Sequence, residues 1–188
     1  YSSKELLSVL RSYIWPAGDD ASVRKRFREM DFEGLGIQLE HLKYRYKPTA
    51  QDEKDLLIVS SWNVRYSTNI DEILRAFETT PDLANSDIIA LQEVDTTAKN
   101  GRRLPVELAK QTGFEYVHGI GSVYIEEGIG NIANMLISRH SISDYEMLRL
   151  GSQKYFTHNH TKMFGGSTAI RGKITKDGRE VVVYSSHL

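Results

Sequence analysis

Three apolar runs in this 188-residue chain each lead to a polar side chain of a type that enzymes use. Asn63 follows the run Leu-Leu-Ile-Val, Glu93 follows Ile-Ile-Ala-Leu, and His187 follows Val-Val-Val-Tyr. Short apolar runs of this composition predict buried strands. Because strand ends bring distant parts of a sequence together, we expect Asn63, Glu93 and His187 to share one site.

Each of these residues also has a plainer interpretation. Asn63 would then be a turn residue, Glu93 a solvated ion-pair partner and His187 a hydrogen-bonded structural side chain. The chain would be a structural β-rich domain in which the three side chains do not converge. The distances between them separate the two interpretations, because groups that serve one phosphate must lie within direct or one-water reach.

The charge balance excludes a strong general attraction to nucleic acid or to anionic membranes. The chain has 24 Lys and Arg against 25 Asp and Glu, a formal net charge of −1, so only a local basic groove would bind polyanions. The absence of cysteine excludes disulfides, thiolate zinc sites and a cysteine nucleophile. No apolar run approaches the roughly 18 to 20 residues of a membrane-spanning helix. We expect a soluble protein and favour an intracellular location.

The first 50 residues differ in pattern from the rest of the chain. Residues 3–15 and 20–30 have the spacing of apolar positions that is typical of helices, and residues 34–46 are ambiguous. We interpret residues 1–50 as a helical N-terminal extension and residues 51–188 as the main domain.

The main domain alternates strand, helix and strand at first and then consists mostly of strands. We expect helices over residues 69–78 and 105–112, and strands over residues 56–64, 88–91, 114–117, 132–137, 145–148, 167–174 and 180–185. The pair Asp177-Gly178 predicts a tight hairpin between the last two strands, and four glycines within residues 119–130 predict a loop. The pattern favours one sheet packed on another with helices outside.

Four motifs occur in order along residues 55–188. They are Ser-Trp-Asn-Val at 61–64, Asp-Ile-Ile-Ala-Leu-Gln-Glu-Val-Asp at 87–95, Asn-Met-Leu-Ile-Ser-Arg-His-Ser-Ile at 134–142, and Tyr-Ser-Ser-His-Leu at 184–188. In this order they resemble the first four motifs of the endonuclease/exonuclease/phosphatase superfamily, the DNase I-like metal-dependent phosphohydrolases. Leu-Gln-Glu-Val is the most specific of them, followed by the strand that ends in Ser-His-Leu.

The resemblance implies an α+β fold, the four-layer α/β/β/α sandwich of the DNase I-like proteins, here truncated after the Ser-His-Leu strand. It implies that Glu93 binds Mg²⁺ or Mn²⁺, and that Asn63 lies beside the metal and the scissile phosphate as a further ligand. His187 would contact the phosphate and stabilise its developing charge. The implied function is that of a divalent-metal-dependent phosphohydrolase of the phosphodiesterase or nuclease type.

The residue types suit this chemistry independently of the resemblance. A phosphodiester is anionic and repels nucleophiles, so its hydrolysis needs a positive centre and an activated water. Mg²⁺ takes oxygen ligands, typically one or two carboxylates with several waters retained, which a strand-end Glu and an Asn carbonyl would match. An imidazole donates a hydrogen bond to a non-bridging oxygen and, when protonated, offsets negative charge.

Three further residues are candidates for substrate binding. Arg65 follows Asn63 by two positions and would bind a phosphate through its guanidinium. Asn134 opens the third motif, and Arg171 lies on the strand before the final hairpin. The expected substrate is a phosphodiester in a nucleic acid, a phospholipid head group or a small molecule.

Two motifs that complete the site in the resembled superfamily do not occur in this sequence. One is Asp-x-Asn, whose Asp activates the attacking water, and the other is a final Asp-His pair. We therefore expect this piece alone to have no substantial hydrolase activity. Because the sequence starts with Tyr and stops one residue after His187, we also expect its N-terminus to be cut or processed and its C-terminus to be cut. The alternative is a non-catalytic binding module that retains the fold but not the chemistry. The coding sequence beyond Leu188 discriminates between the two, because only an enzyme needs the missing motifs there.

Overall fold

The computed structural model describes residues 39–42, 56–67, 69–96, 101–125, 129–151, 154–158 and 161–187. The helices expected over residues 3–15 and 20–30 lie outside these residues. The described elements are β1 (Leu39–Leu42), β2 (Val59–Asn63), α1 (Ile70–Thr79), α2 (Pro81–Ala84), β3 (Ile88–Val94), α3 (Leu104–Thr112), β4 (Glu115–Ile125), β5 (Ile129–Ser138), β6 (Ile142–Arg149), β7 (Lys154–His158), β8 (Thr161–Gly165), β9 (Thr168–Lys176) and β10 (Arg179–His187). A short 3₁₀ turn, Arg65–Ser67, follows β2.

The described strands form two sheets. The large sheet has seven strands in the order β2-β3-β5-β4-β8-β7, with β1 also paired to β4. The small sheet has the order β10-β9-β6 and is antiparallel throughout. Within the large sheet β2 and β3 are parallel, and α1 and α2 form the crossover between them.

Residues at helix ends help to set where two of the helices begin or end. The Asn69 side chain accepts a hydrogen bond from the Glu72 amide at the start of α1. Helix α3 has Pro105 in its first turn and ends at Gly113, which adopts the left-handed conformation with φ of 74°. Both helices therefore begin and end close to where the sequence predicts.

The large sheet is covered on both faces. Its helical side buries a cluster in which Phe77 of α1 and Leu108 of α3 pack with Leu91 of β3. Its other face packs on the small sheet through a second apolar cluster, which includes Leu136 and Ile170. The described residues thus form three layers, helices, large sheet and small sheet, as the predicted α+β sandwich requires. No helix covers the outer face of the small sheet within the described ranges.

The final hairpin forms where the sequence predicts it. Asp177 and Gly178 both have positive φ, 50° and 74°, which is the backbone of the tight turn that joins two antiparallel strands. The turn fixes the register of β9 and β10, so that Arg171 pairs with Tyr184 and Thr168 pairs with His187.

The loop expected over residues 119–130 is largely absent from the described structure. The chain continues as β4 to Ile125 and starts β5 at Ile129. Gly119 serves close packing instead of a turn, since a Cβ there would lie 2.3 Å from the Ile170 Cδ1 atom of the small sheet. The prediction failed because glycine permits both tight turns and close approach of a second layer.

The interpretation of residues 1–50 as helical is wrong for Leu39–Leu42, which form strand β1 paired antiparallel with β4. Glu40 lies opposite His118 and forms an ion pair of 2.7 Å with Arg103. This strand satisfies backbone groups along part of β4, and that tertiary pairing overrides the helical spacing of Leu39 and Leu42. The remainder of the extension stays a prediction.

Candidate active site

A β-bulge in β3 places Glu93 at the edge between the two sheets. Strands β3 and β5 pair regularly up to Leu91 and resume at Val94, so Gln92 and Glu93 together stand opposite Asn134. Glu93 has φ of 55°, a left-handed backbone that costs a non-glycine residue on the order of 1–3 kcal/mol. The bulge interrupts the alternation of faces, and consequently both Gln92 and Glu93 contact β10 of the small sheet.

Asn63 ends β2 and holds the Glu93 carboxylate. Its Nδ2 atom donates to Glu93 Oε1 at 3.0 Å, while its Oδ1 atom accepts from the Arg65 backbone amide at 2.9 Å. Because that amide only donates, the orientation of the Asn63 side chain is fixed. The hydrogen bond to Arg65 is an Asx turn, which explains why the chain leaves the strand at this residue.

His187 completes a triad of side chains from both sheets. Its Nε2 atom lies 3.5 Å from Asn63 Nδ2 and 3.7 Å from Glu93 Oε1. The His187 side chain is 50% exposed and that of Glu93 is 15% exposed. Asn63, Glu93 and His187 therefore converge at a partly solvent-accessible point, which excludes the interpretation in which they are unrelated strand ends.

The turn after β2 adds Arg65 and Tyr66 beside this triad. Both have left-handed φ values, 46° and 61°. Arg65 is exposed, and no side chain in the described part of the structure pairs with its guanidinium. Burial and the negative charge of Glu93 raise the pKa of Tyr66, so its phenol stays neutral. Tyr66 was not predicted as a residue of the site, because nothing in the local sequence pattern indicates a left-handed tyrosine next to a carboxylate.

Asn134 lies in the floor of the site and is not on its surface. It is 5% exposed, and its Nδ2 atom donates to the backbone carbonyl of Thr168 at 2.8 Å and approaches Thr168 Oγ1 at 3.2 Å. Thr168 is the residue that pairs with His187 across the small sheet. The Oδ1 atom of Asn134 is buried and has no hydrogen-bond partner among the described groups.

The structure does not bring Arg171 to the site, which corrects its assignment as a substrate-binding residue. Arg171 alternates with the inward-facing Ile170 and therefore points to the outer face of the small sheet. There its guanidinium forms ion pairs with Asp144 at 3.1 Å and with Glu146 at 3.3 Å. Its charge is thus used in pairing β6 with β9.

The oxygen donors of the site suit a hard cation that keeps most of its waters. Glu93 Oε1 is engaged by Asn63, and no described group bonds to Oε2, which is left for a ligand. No set of three or more His, Asp or Glu side chains gathers anywhere in the described ranges, so a closed metal cage is absent there. Mg²⁺ bound through a single carboxylate fits this donor set. Asn63 would contribute only the second lone pair of Oδ1, since the first accepts from Arg65.

Comparison with solved structures found chains of similar fold. A solved structure of an endonuclease/exonuclease/phosphatase family protein from Leptotrichia buccalis C-1013-b matches with 19% sequence identity and a TM-score of 0.46. The match covers 71% of this chain and 55% of that one, so the chain spans about half the length of that protein. No protein-family profile and no curated protein sequence matches the chain. Among the described helices, none has the length and the hydrophobicity to span a lipid bilayer.

Proposed function

We propose that this chain carries the cation-binding and phosphate-binding part of a divalent-metal-dependent phosphohydrolase, of the phosphodiesterase or nuclease type. The observation that supports this best is the approach of Asn63, Glu93 and His187 from two different sheets to within 3.7 Å of one another. Three residues separated by up to 124 positions meet at a solvent-accessible point where a hydrophobic core gains nothing from them.

Each residue has a role that follows from its geometry. Glu93 would hold Mg²⁺ or Mn²⁺ through Oε2, and Asn63 keeps the carboxylate in place by donating to Oε1. A divalent cation held there would polarise a phosphodiester and would lower the pKa of a bound water. His187 would donate a hydrogen bond to a non-bridging phosphate oxygen, and the Arg65 guanidinium would add a positive charge.

A non-catalytic binding module is the second candidate, and one observation favours it. Glu93 is the carboxylate of the triad, and no other carboxylate in the described ranges contacts Asn63 or His187. A second acid that could activate a water is therefore not in place there. This module would bind a cation and a phosphate group and would leave the phosphodiester intact.

Cation binding by the chain itself tests both candidates at their common step. Glu93→Gln should weaken Mn²⁺ binding by about tenfold or more, because an amide replaces the carboxylate. Isothermal titration calorimetry measures this, and Glu180→Gln is the matched control, because Glu180 is an exposed acid seven residues before His187 on β10. Equal Mn²⁺ affinity in wild type and Glu93→Gln would contradict the proposal.

Hydrolysis distinguishes the enzyme from the binding module. The full-length protein should be screened with Mg²⁺ or Mn²⁺ against a bis-aryl phosphodiester, DNA and phospholipid head groups. Metal-dependent cleavage that Glu93→Ala abolishes supports the enzyme. Cation and phosphate binding without cleavage of any of these substrates supports the module, and cleavage that survives Glu93→Ala rejects the site.

A further inference from the structure

Directly beneath the triad lies a row of hydrogen-bonding side chains, all buried except that of Ser61, which we call the polar seam. It consists of Ser61, Gln92, Asn134, Thr168 and Ser185. The rest of the contact between the two sheets is an apolar cluster that contains Ile88, Val117, Leu136 and Ile174. Polar groups in such a contact cost free energy unless they are paired, so their presence at this end requires an explanation.

Gln92 is the centre of the polar seam and is 7% exposed. Its Nε2 atom lies 3.2 Å from Ser61 Oγ, 3.1 Å from the Ala90 carbonyl and 3.2 Å from Ser185 Oγ. Ser185 in turn donates to the Leu91 carbonyl at 2.9 Å. One amide therefore connects β2, β3 and β10, the three strands that carry the triad.

The polar seam joins the two sheets that carry the two halves of the triad. Glu93 follows Gln92 on the large sheet, and His187 lies two residues after Ser185 on the small sheet. Apolar contacts are not directional, whereas hydrogen bonds are specific in length and angle. Asn134 and Thr168 form a second link of the same kind, at 2.8 Å, beside the first. None of the side chains of the polar seam carries a formal charge.

We propose that Gln92 is a positioning residue that fixes the distance between Glu93 and His187, so that a cation on the first and a phosphate on the second bind cooperatively. This inference rests on the proposed function, because it assigns the cation to Glu93 and the phosphate to His187. Cooperative binding arises when both ligands favour the same arrangement of their sites. Without the Gln92 amide each ligand still has its residue, but the two residues are no longer held in one geometry.

The test uses the 188-residue chain with Mg²⁺ and inorganic phosphate as probes. Phosphate affinity is measured from the His187 ring signals by NMR, with and without saturating Mg²⁺, and Mg²⁺ affinity is measured by calorimetry. In wild type, Mg²⁺ should tighten phosphate binding about fivefold or more. The ratio of the phosphate dissociation constants without and with Mg²⁺ measures this cooperativity. In Gln92→Leu this ratio should fall to near one, while Mg²⁺ affinity in the absence of phosphate stays within about threefold of wild type.

Two further variants separate positioning from general destabilisation. Ser185→Ala removes the partner of Gln92 on β10 with a smaller change of volume, and it decides the matter if Gln92→Leu does not fold by circular dichroism. Ser86→Ala removes the partly buried 2.7 Å hydrogen bond between Ser86 and Ser60, which does not join the two sheets. Ser185→Ala should lose the ratio, and Ser86→Ala should keep it at comparable stability.

The outcomes separate this inference from the proposed function. Retention of the ratio in both Gln92→Leu and Ser185→Ala overturns the positioning role and leaves the proposed function standing. A fall of the ratio in Ser86→Ala as well also overturns the positioning role. The loss of cooperative binding would then result from lower stability in general. A wild-type chain that binds neither Mg²⁺ nor phosphate, or whose Mg²⁺ affinity is unchanged by Glu93→Gln, overturns the proposed function itself.

Discussion

Glu93 combines two properties that rarely occur together, a left-handed backbone and a charged side chain held by another residue. A glutamate gains nothing from φ of 55° in terms of backbone energy, so the surrounding pairing must impose this conformation. The bulge that does so turns the carboxylate toward β10, where His187 lies. The strained backbone is thus the energetic cost of directing the Glu93 carboxylate toward β10.

This strain predicts an unusual order of stabilities at residue 93. The free energy of unfolding, measured by urea denaturation, should be about 1 kcal/mol higher for Glu93→Gly than for Glu93→Ala. The reason is that only glycine adopts a left-handed backbone without cost. The matched pair is Glu180→Gly and Glu180→Ala, on a regular strand, where glycine should be the less stable by about 0.5–1 kcal/mol. If the glycine variant is less stable than the alanine variant at both positions, the backbone of Glu93 is not strained.

Asp87, at the opposite end of β3 from the site, makes stability depend on pH. Burial opposes its charge, but hydrogen bonds from the Ile58 amide and from His140, together with Lys176, outweigh burial and lower the pKa of Asp87. A lowered folded-state pKa gives stability that is complete above the ordinary value of 3.8 and is lost as pH falls through the folded-state value.

Asp87→Asn should therefore flatten the dependence of stability on pH in the acid range. Between about pH 5 and pH 3, the urea midpoint of the wild-type chain should fall more steeply than that of Asp87→Asn. Asp82→Asn is the control, because Asp82 is exposed and interacts through its backbone carbonyl. If the urea midpoint falls equally steeply with pH in wild type and in Asp87→Asn, Asp87 does not cause the acid loss of stability.

At the scale of elements, Glu40 links β1 to the rest of the large sheet in addition to backbone pairing. The nearby His118 ring, Arg103 and Tyr116 hold the pKa of Glu40 well below its usual range, although burial opposes this. Glu40 pairs with both Arg103 and Tyr116, and His41 of the same strand lies 3.4 Å from Glu115.

Replacing Glu40 by Gln should release β1 without unfolding the domain. Amide hydrogen exchange at residues 39–42 and 116–119 should accelerate by about tenfold, while the amides of β3 stay protected. Asp71→Asn is a suitable comparison, since it removes an ion pair of similar length, 2.8 Å to Arg102, from an exposed position. If both variants leave β1 protected, backbone pairing alone holds the strand.

The sequence predicted those elements whose conformation depends on local chemistry. It did not predict features that depend on packing between layers. The hairpin at Asp177-Gly178 follows from turn chemistry, and the convergence of the triad follows from polar residues at the ends of apolar strands. The position of Arg171 was also readable, because it alternates with Ile170 and pairs, through the hairpin, with Tyr184 and not with His187. In contrast, the bulge at Glu93 depends on the pairing of β3 with β5, which no local pattern encodes.

On the scale of the whole molecule, the two sheets are open on the same side. Strands β2 and β10 are the outer strands of their sheets among the described elements, and the contact between Asn63 and His187 joins them. Apolar side chains are exposed along this side, with Val59 50% and Val182 43% exposed. Unpaired strand edges with exposed apolar residues promote association between copies of a chain.

Val182→Lys should reduce self-association of the chain, because a charge on an edge strand opposes edge-to-edge pairing. Sedimentation velocity at several protein concentrations measures the change, with a larger monomer fraction expected for the variant. Thr175→Lys adds the same charge to β9, which is paired on both sides, and should leave association unchanged. An equal effect of the two substitutions would indicate that net charge and not the edge is responsible.

The absence of a side chain at Gly119 lets the small sheet pack directly on the backbone of β4. A Cβ atom there would lie 2.3 Å from the Ile170 Cδ1 atom and 2.8 Å from the Met147 Sδ atom. A larger residue at this position must therefore displace these two side chains or move the two sheets apart. Because Glu93 lies on one sheet and His187 on the other, a substitution that moves the sheets apart would also lengthen the distance between these two residues.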